Sequence, residues 1–254
     1  MTLPNAARIN PLLSSLLPVL LPVSAMSMHK SPMSPEPTAA KPMASHAATA
    51  TSFPLSSYKA WLVDLDGTLY RPKPVKALIA LELLISPSVI PVLREFRHQH
   101  ERMRREGYSS TTTPPFEQQL ATTARAIGRD ERYVREIVEQ WMIRKPGRWL
   151  RRFLREELVA EIRSFRKTGG KTAVVSDYPA ADKLAAMGVT DLFDLVVANG
   201  EPDGPEALKP SASGFLAAAK RLGLTPDACL VIGDRDDADG AAARAAGMDF
   251  RRIR

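Results

Sequence analysis

The stretch Tyr58-Lys59-Ala60-Trp61-Leu62-Val63-Asp64-Leu65-Asp66-Gly67-Thr68-Leu69 decides how the rest of the chain is read. Its first half is a short apolar run, which predicts a buried β-strand ending at Asp64. Two carboxylates then stand two residues apart around an apolar Leu65, and Gly67 permits a sharp turn. A solvated Asp-x-Asp-Gly turn has the same composition. A calcium loop is the other reading, but the residues after Leu69 lack its remaining acidic ligands.

Downstream, Gly169-Gly170 opens a region that alternates strand and helix. Strands are expected at Thr172–Val175, Leu195–Ala198, Leu230–Ile232 and Phe250–Ile253. Helices are expected at Pro179–Met187, Ser211–Leu222 and Asp237–Ala246, each followed by a glycine that suits a C-cap. This alternation predicts an α/β fold, a doubly wound parallel sheet with helices on both faces. Between the first strand and the others the pattern is helical. Segments run from Val75 through Arg105 with breaks at Pro87 and Pro91, then Phe116–Ile127, Asp130–Met142 with Asp130 as N-cap, and a long basic helix over Trp149–Arg166. Pro146-Gly147 is expected to interrupt, and Gly107–Pro115 reads as a loop. The domains expected are a leader at 1–57, a core of 58–70 plus 170–254, and an inserted all-helical unit at 71–169.

In open parallel sheets, ligands bind beyond the carboxyl ends of the strands. The residues there form a chemical set. The first strand ends in Asp64-Leu65-Asp66-Gly67-Thr68, and the second in Ser176-Asp177. Lys209-Pro210 precedes the helix at Ser211. The fourth strand ends in Gly233-Asp234, followed by Asp236, Asp237 and Asp239 and closed by Ala246-Gly247. Each item alone has a plainer explanation, such as a helix cap, a surface lysine or a solvated acidic turn. In this order, at these strand ends, they resemble the four motifs of the haloacid dehalogenase (HAD) superfamily. The helical insert occupies the position of that family's cap, and its size resembles phosphoglycolate-phosphatase-like and phosphoglucomutase-like members.

The resemblance implies a Mg²⁺-dependent hydrolase of small phosphomonoesters that acts through an aspartyl phosphate. Asp64 would be the nucleophile and Asp66 the general acid and base. Ser176 would hydrogen-bond the phosphoryl oxygens, and Lys209 would balance charge. Asp64 and Asp234 would give carboxylates to the metal and Asp66 its backbone carbonyl. Thr68, Asp177 and Asp239 are further candidates, and spacing from Gly247 favours Asp239 over Asp236 and Asp237 as the second acid of the last motif. Asp66 also separates branches, because the halide-removing branch lacks an acid there. A sugar phosphomutase and a non-catalytic phosphate-binding module on the same fold are the alternatives.

Charge is unevenly spread. Residues 61–171 carry 22 basic and 14 acidic side chains, whereas residues 172–254 carry 9 and 13. A basic middle attracts anions, whether a small phosphorylated metabolite, nucleic acid or a membrane surface. No nucleic-acid signature is present, so no nucleic-acid partner is expected. Trp141–Arg155 is basic and aromatic together. It either binds a second anionic group or an anionic membrane, or it packs Trp149 and Phe153 inward with its arginines in water; the last is favoured. His98 and His100, two apart on a helix, do not share a face and are poor metal ligands. Cys229 stands alone, so no internal disulfide can form. Residues 1–57 hold 9 of the 21 prolines and a single acid, Glu36, a composition that predicts disorder. Within them Ile9–Ala25 is leucine-rich behind Arg8, which also suits an export or organellar targeting peptide, and a translation start placed too early is a third reading. The HAD-like site favours a cytoplasmic location, with export or an organelle as the alternative.

Overall fold

The computed structural model describes residues 57–107 and 113–254; the expected leader and most of the expected Gly107–Pro115 loop lie outside the described residues. Five parallel strands, β1 (Ala60–Val63), β2 (Lys171–Ser176), β3 (Leu195–Ala198), β4 (Cys229–Gly233) and β5 (Asp249–Arg252), form one sheet in the order β3-β2-β1-β4-β5. β1 is central, with Val63 in register with Val174 of β2 and Ile232 of β4. The ends of these three strands therefore lie side by side, and so do the residues just beyond them.

Alternation along each strand divides the apolar side chains between two faces. Trp61, Val63, Val174, Leu230 and Ile232 belong to one buried cluster. Ala60, Leu62, Ala173, Val175, Cys229 and Val231 belong to the other. The first face is covered by α6 (Glu156–Lys167) and α7 (Ala181–Met187), through Leu158, Ile162, Phe165, Leu184 and Met187. Phe165 stacks on Trp61 with ring centroids 4.3 Å apart. The second face is covered by α8 (Ser213–Leu222) and α9 (Ala241–Ala246), through Phe215, Ala218 and Ala243. This is the doubly wound arrangement expected from the alternating pattern.

The insert between β1 and β2 is helical throughout its described part. It comprises α1 (Pro72–Leu84), α2 (Ile90–Glu106), α3 (Pro115–Ile127), α4 (Glu131–Val138) and α5 (Lys145–Leu150). Asp130 caps α4 by accepting from the Arg132 N–H at 2.8 Å. Two expectations fail here. Pro146-Gly147 does not interrupt the chain's helical course, because residues Glu139–Arg144 form a π-helical turn that joins α4 to α5. The shifted hydrogen-bond register of such a turn lets Pro146 enter without an N–H to give. The long helix expected over Trp149–Arg166 is two helices, broken where Leu154 is extended (φ −57°, ψ 145°). That break is where the chain returns from the insert. Leu154 bridges Tyr70, the Arg71 N–H donates to the Phe153 carbonyl, and the Arg155 N–H donates to the Leu69 carbonyl, both at 2.8 Å. The outgoing and returning strands are thus clamped together shortly after Asp64 and Asp66, and α6 lies on the sheet. No single helix among the described residues is long and apolar enough to cross a membrane.

Candidate active site

The strand ends open into a cavity of about 560 Å³, roofed by the insert. Asp64, Asp66, Ser176, Asp177, Lys209, Asp234 and Asp239 all line it. Asp64 is nearly buried, and its two oxygens are held separately. Lys209 Nζ donates to Oδ1 at 2.6 Å, and Thr68 Oγ1 donates to Oδ2 at 2.9 Å. Lys209 Nζ also donates to Asp239 Oδ1 at 2.8 Å and to the Val175 carbonyl at 2.9 Å. Thr68 and Lys209 therefore hold Asp64 in one orientation.

Gly67 explains how the first and fourth motifs come so close. Its φ is +102°, and a β-carbon there would sit 2.3 Å from Asp234 Oδ2. Gly233 plays the same part beneath Asp239, whose Cβ would lie 2.5 Å from any β-carbon at 233. The glycines thus serve close approach as well as turning.

Asp64, Asp234 and Asp239 each offer an oxygen, and the three oxygens lie within 4.8 Å of one another. One ammonium, Lys209, sits among these three carboxylates, which leaves excess negative charge in a largely dry place. Burial, followed by the like charge of Asp239, pushes the Asp64 carboxyl well above its usual range despite Lys209. Burial and Asp239 raise Asp234 as well. A hard divalent cation relieves such a cluster, and all-oxygen donors suit Mg²⁺. Asp239 is the acid that joins the cluster; Asp236 pairs with Arg244 and Asp237 with Arg235, both at the surface. Asp66, expected to offer the metal only its backbone carbonyl, turns its carboxylate to Lys183 and Tyr70 instead of into the cluster. His100 is buried with its Nδ1 facing Gln119 Oε1 at 3.2 Å, and burial and then Arg104 push its pKa down to about 3.

Asp66 accepts from Lys183 Nζ at 2.8 and 2.7 Å and from Tyr70 Oη at 2.7 Å. Burial alone would raise its pKa, but the Lys183 charge and these hydrogen bonds prevail and lower it. Asp64 and Asp66, two residues apart, thus sit in opposed environments. Sequence reasoning missed Lys183 and Tyr70. A signal existed for Lys183: it shares the apolar stripe of Leu184 and Met187 on α7, where a lysine needs a partner. Ser176 ends β2 with its Oγ accepting from the Tyr178 N–H at 3.1 Å, which leaves its proton free to donate. Asp177 braces Lys209, with Oδ1 accepting from the Lys209 backbone N–H at 3.0 Å.

Fold and site together define a capped α/β hydrolase built on a strand-end aspartate. The model of the haloacid dehalogenase-like hydrolase family matches residues 58–247, and the chain belongs to that family. Glyceraldehyde 3-phosphate phosphatase of Methanopyrus kandleri is 35% identical over 101 residues, 39% of this chain and 42% of that protein. Fructose-1-phosphate phosphatase YqaB of Escherichia coli is 39% identical over 87 residues, 34% of this chain and 42% of that protein. The chain thus spans about two fifths of the length of these curated relatives. Among solved structures, the magnesium-bound HAD-hydrolase YfnB of Bacillus subtilis shares the fold, with a TM-score of 0.52 and 18% identity, covering 77% of this chain and 88% of that one.

Proposed function

We propose that the chain is a Mg²⁺-dependent phosphatase of small phosphomonoesters that works through an aspartyl phosphate on Asp64. The observation that carries this reading is the pair of carboxylates in one cavity, Asp64 held by Lys209 and Thr68 and Asp66 held apart by Lys183 and Tyr70. Opposed environments for two neighbouring acids are what separate roles require. The two relatives, both named as phosphatases of small sugar phosphates, support the substrate class.

In the first step an Asp64 oxygen bonds to phosphorus and the bond to the leaving oxygen breaks. Lys209 offsets the charge of the nucleophile and the incoming phosphoryl oxygens, and Ser176 Oγ–H donates to one of them. Asp66 gives a proton to the leaving oxygen. It is ionised in the free protein, and the arriving dianion favours its protonation by like charge. In the second step Asp66 takes a proton from water, the water oxygen bonds to phosphorus, and Asp64 is released with inorganic phosphate. When bound by Asp64, Asp234 and Asp239, Mg²⁺ supplies positive charge that offsets the phosphate and the clustered carboxylates. We place the cap at residues 72–153, between the clamped strands, with α6 assigned to the core. A generic aryl phosphate assayed with and without Mg²⁺, beside Asp64→Asn, tests the reading. Turnover that depends on both Mg²⁺ and Asp64 is expected, and equal turnover by the two proteins would sink it.

A further inference from the structure

Most cations that reach the cavity already have a partner. Lys209 is on Asp64 and Asp239, and Lys183 is on Asp66. Arg104 donates to the Lys209 carbonyl at 2.7 Å, Arg235 pairs with Asp237, and Arg252 donates to the Asp234 carbonyl at 3.2 Å. Two cations differ. Lys76 of α1 and Arg97 of α2 line the cavity from the cap, half-buried, and make no hydrogen bond or ion pair among the described residues. They also act on each other: burial, and then the Arg97 charge, lower the Lys76 pKa. The same cavity is also lined by the apolar Ile79, Leu83, Leu93 and Trp141 of the cap. Apolar walls strengthen the field of any charge they frame. Asp234 and Asp66 attract Lys76 only from a distance, so two like charges on a partly apolar cavity wall, with no carboxylate in contact, cost the fold some stability. An anion in the cavity reverses that balance.

We propose that Lys76 and Arg97 form a second anion subsite, so that the substrate is a phosphomonoester carrying a further carboxylate or phosphate group. This rests on the phosphatase reading for the reacting phosphate. The reacting phosphate lies over Asp64, Ser176 and Lys209 at the strand ends, while the second anion meets the cap. Arg97 suits a planar, forked contact with a carboxylate or phosphate, and Lys76 adds a point charge. Engagement of both ends orients the ester over Asp64.

The test compares matched substrates with the full chain and Mg²⁺. Glycerol 3-phosphate against 3-phosphoglycerate exchanges an alcohol for a carboxylate, and fructose 1-phosphate against fructose 1,6-bisphosphate exchanges a hydroxyl for a phosphate. The two-anion member is expected to win in kcat/KM by about tenfold or more in at least one pair, and the winning pair tells which anion is read. Lys76→Met with Arg97→Met should bring that ratio near one, chiefly through KM, whereas Lys76→Arg should keep it. A ratio near one in the unaltered chain for both pairs, or a ratio unchanged in the double variant, overturns the subsite. Should neither these esters nor an aryl phosphate be hydrolysed, the phosphatase reading has failed separately. Calorimetric binding of the same four compounds without Mg²⁺ then decides the subsite, with preference for two anions lost in the double variant supporting it and equal binding refuting it.

Discussion

The core and the cap treat charge in opposite ways. In the core, Lys209 and Lys183 are buried against named carboxylates, and each ion pair to Asp64 or Asp66 joins residues more than a hundred positions apart. In the cap, Lys76 and Arg97 face the same cavity with no such partner, while the segment singled out in the sequence lines it only through Trp141, Met142 and Pro146 and keeps its basic side chains off it. Arg148 pairs with Glu82 on the surface, Arg151 and Arg152 are exposed, and Trp149 and Phe153 pack inward. Core charges are thus preorganised for a reaction that must not wait for them to move, while cap charges await a ligand.

Removing the proposed nucleophile should break the core most completely. Asp64→Asn should lower kcat on an aryl phosphate by about 10⁴-fold or more. Retention of activity within about tenfold would place the chemistry elsewhere in the cavity. Lys209→Met comes next, because it leaves Asp64 and Asp239 buried without their shared cation. A loss of about 3–5 kcal/mol in metal-free denaturant unfolding is expected, as for other broken buried pairs, together with a fall in kcat of about 10³-fold.

Lys183→Met is expected to act through Asp66. Its kcat should fall about 10–100-fold on an alkyl phosphate and less on an aryl phosphate, whose leaving oxygen needs little protonation. Equal losses on both would reduce Lys183 to a fold element.

The acids also predict a pH dependence. Asp64, Asp177 and Asp234 have raised pKa values, so their contribution to stability is present at low pH and lost as pH rises through those values. Asp66 runs the other way, since its lowered value stabilises above the usual carboxylate range and is lost as pH falls through it. On the proposed reading, Mg²⁺ would bind only the ionised cluster. The gap in Tm between Mg²⁺-loaded and chelated protein should therefore widen from about pH 5 to about pH 8, and a constant gap would remove the cation from Asp64, Asp234 and Asp239.

The outward face of the cap should respond least. Arg152→Glu should leave KM within about twofold, as surface changes away from a site do. A large rise would return the basic segment to the substrate path.

Much of this molecule was legible in local sequence. The strand run before Asp64, the glycine-ended helices and the motifs at strand ends depend on periodicity and turn chemistry, which act over a few residues. They located β1 through β5, and they placed Asp64, Ser176 and Asp234 at neighbouring strand ends and Lys209 ahead of the helix that follows β3. Spacing from Gly247 pointed to Asp239, and geometry brought that residue to the carboxylate cluster. What local pattern misjudged also has a physical cause. Pro146 entered a helix because a π-turn relieved its missing donor, and Leu154 broke a helix because the returning strand had to bridge Tyr70. Only tertiary structure decided that Lys183 and Tyr70 hold Asp66, and that Lys76 and Arg97 face the cavity while the arginines at 148–152 do not. Apart from Tyr70, which lies four residues from Asp66, those relations join residues on separate elements, and side-chain charge carries no local signal of which distant group will stand opposite it.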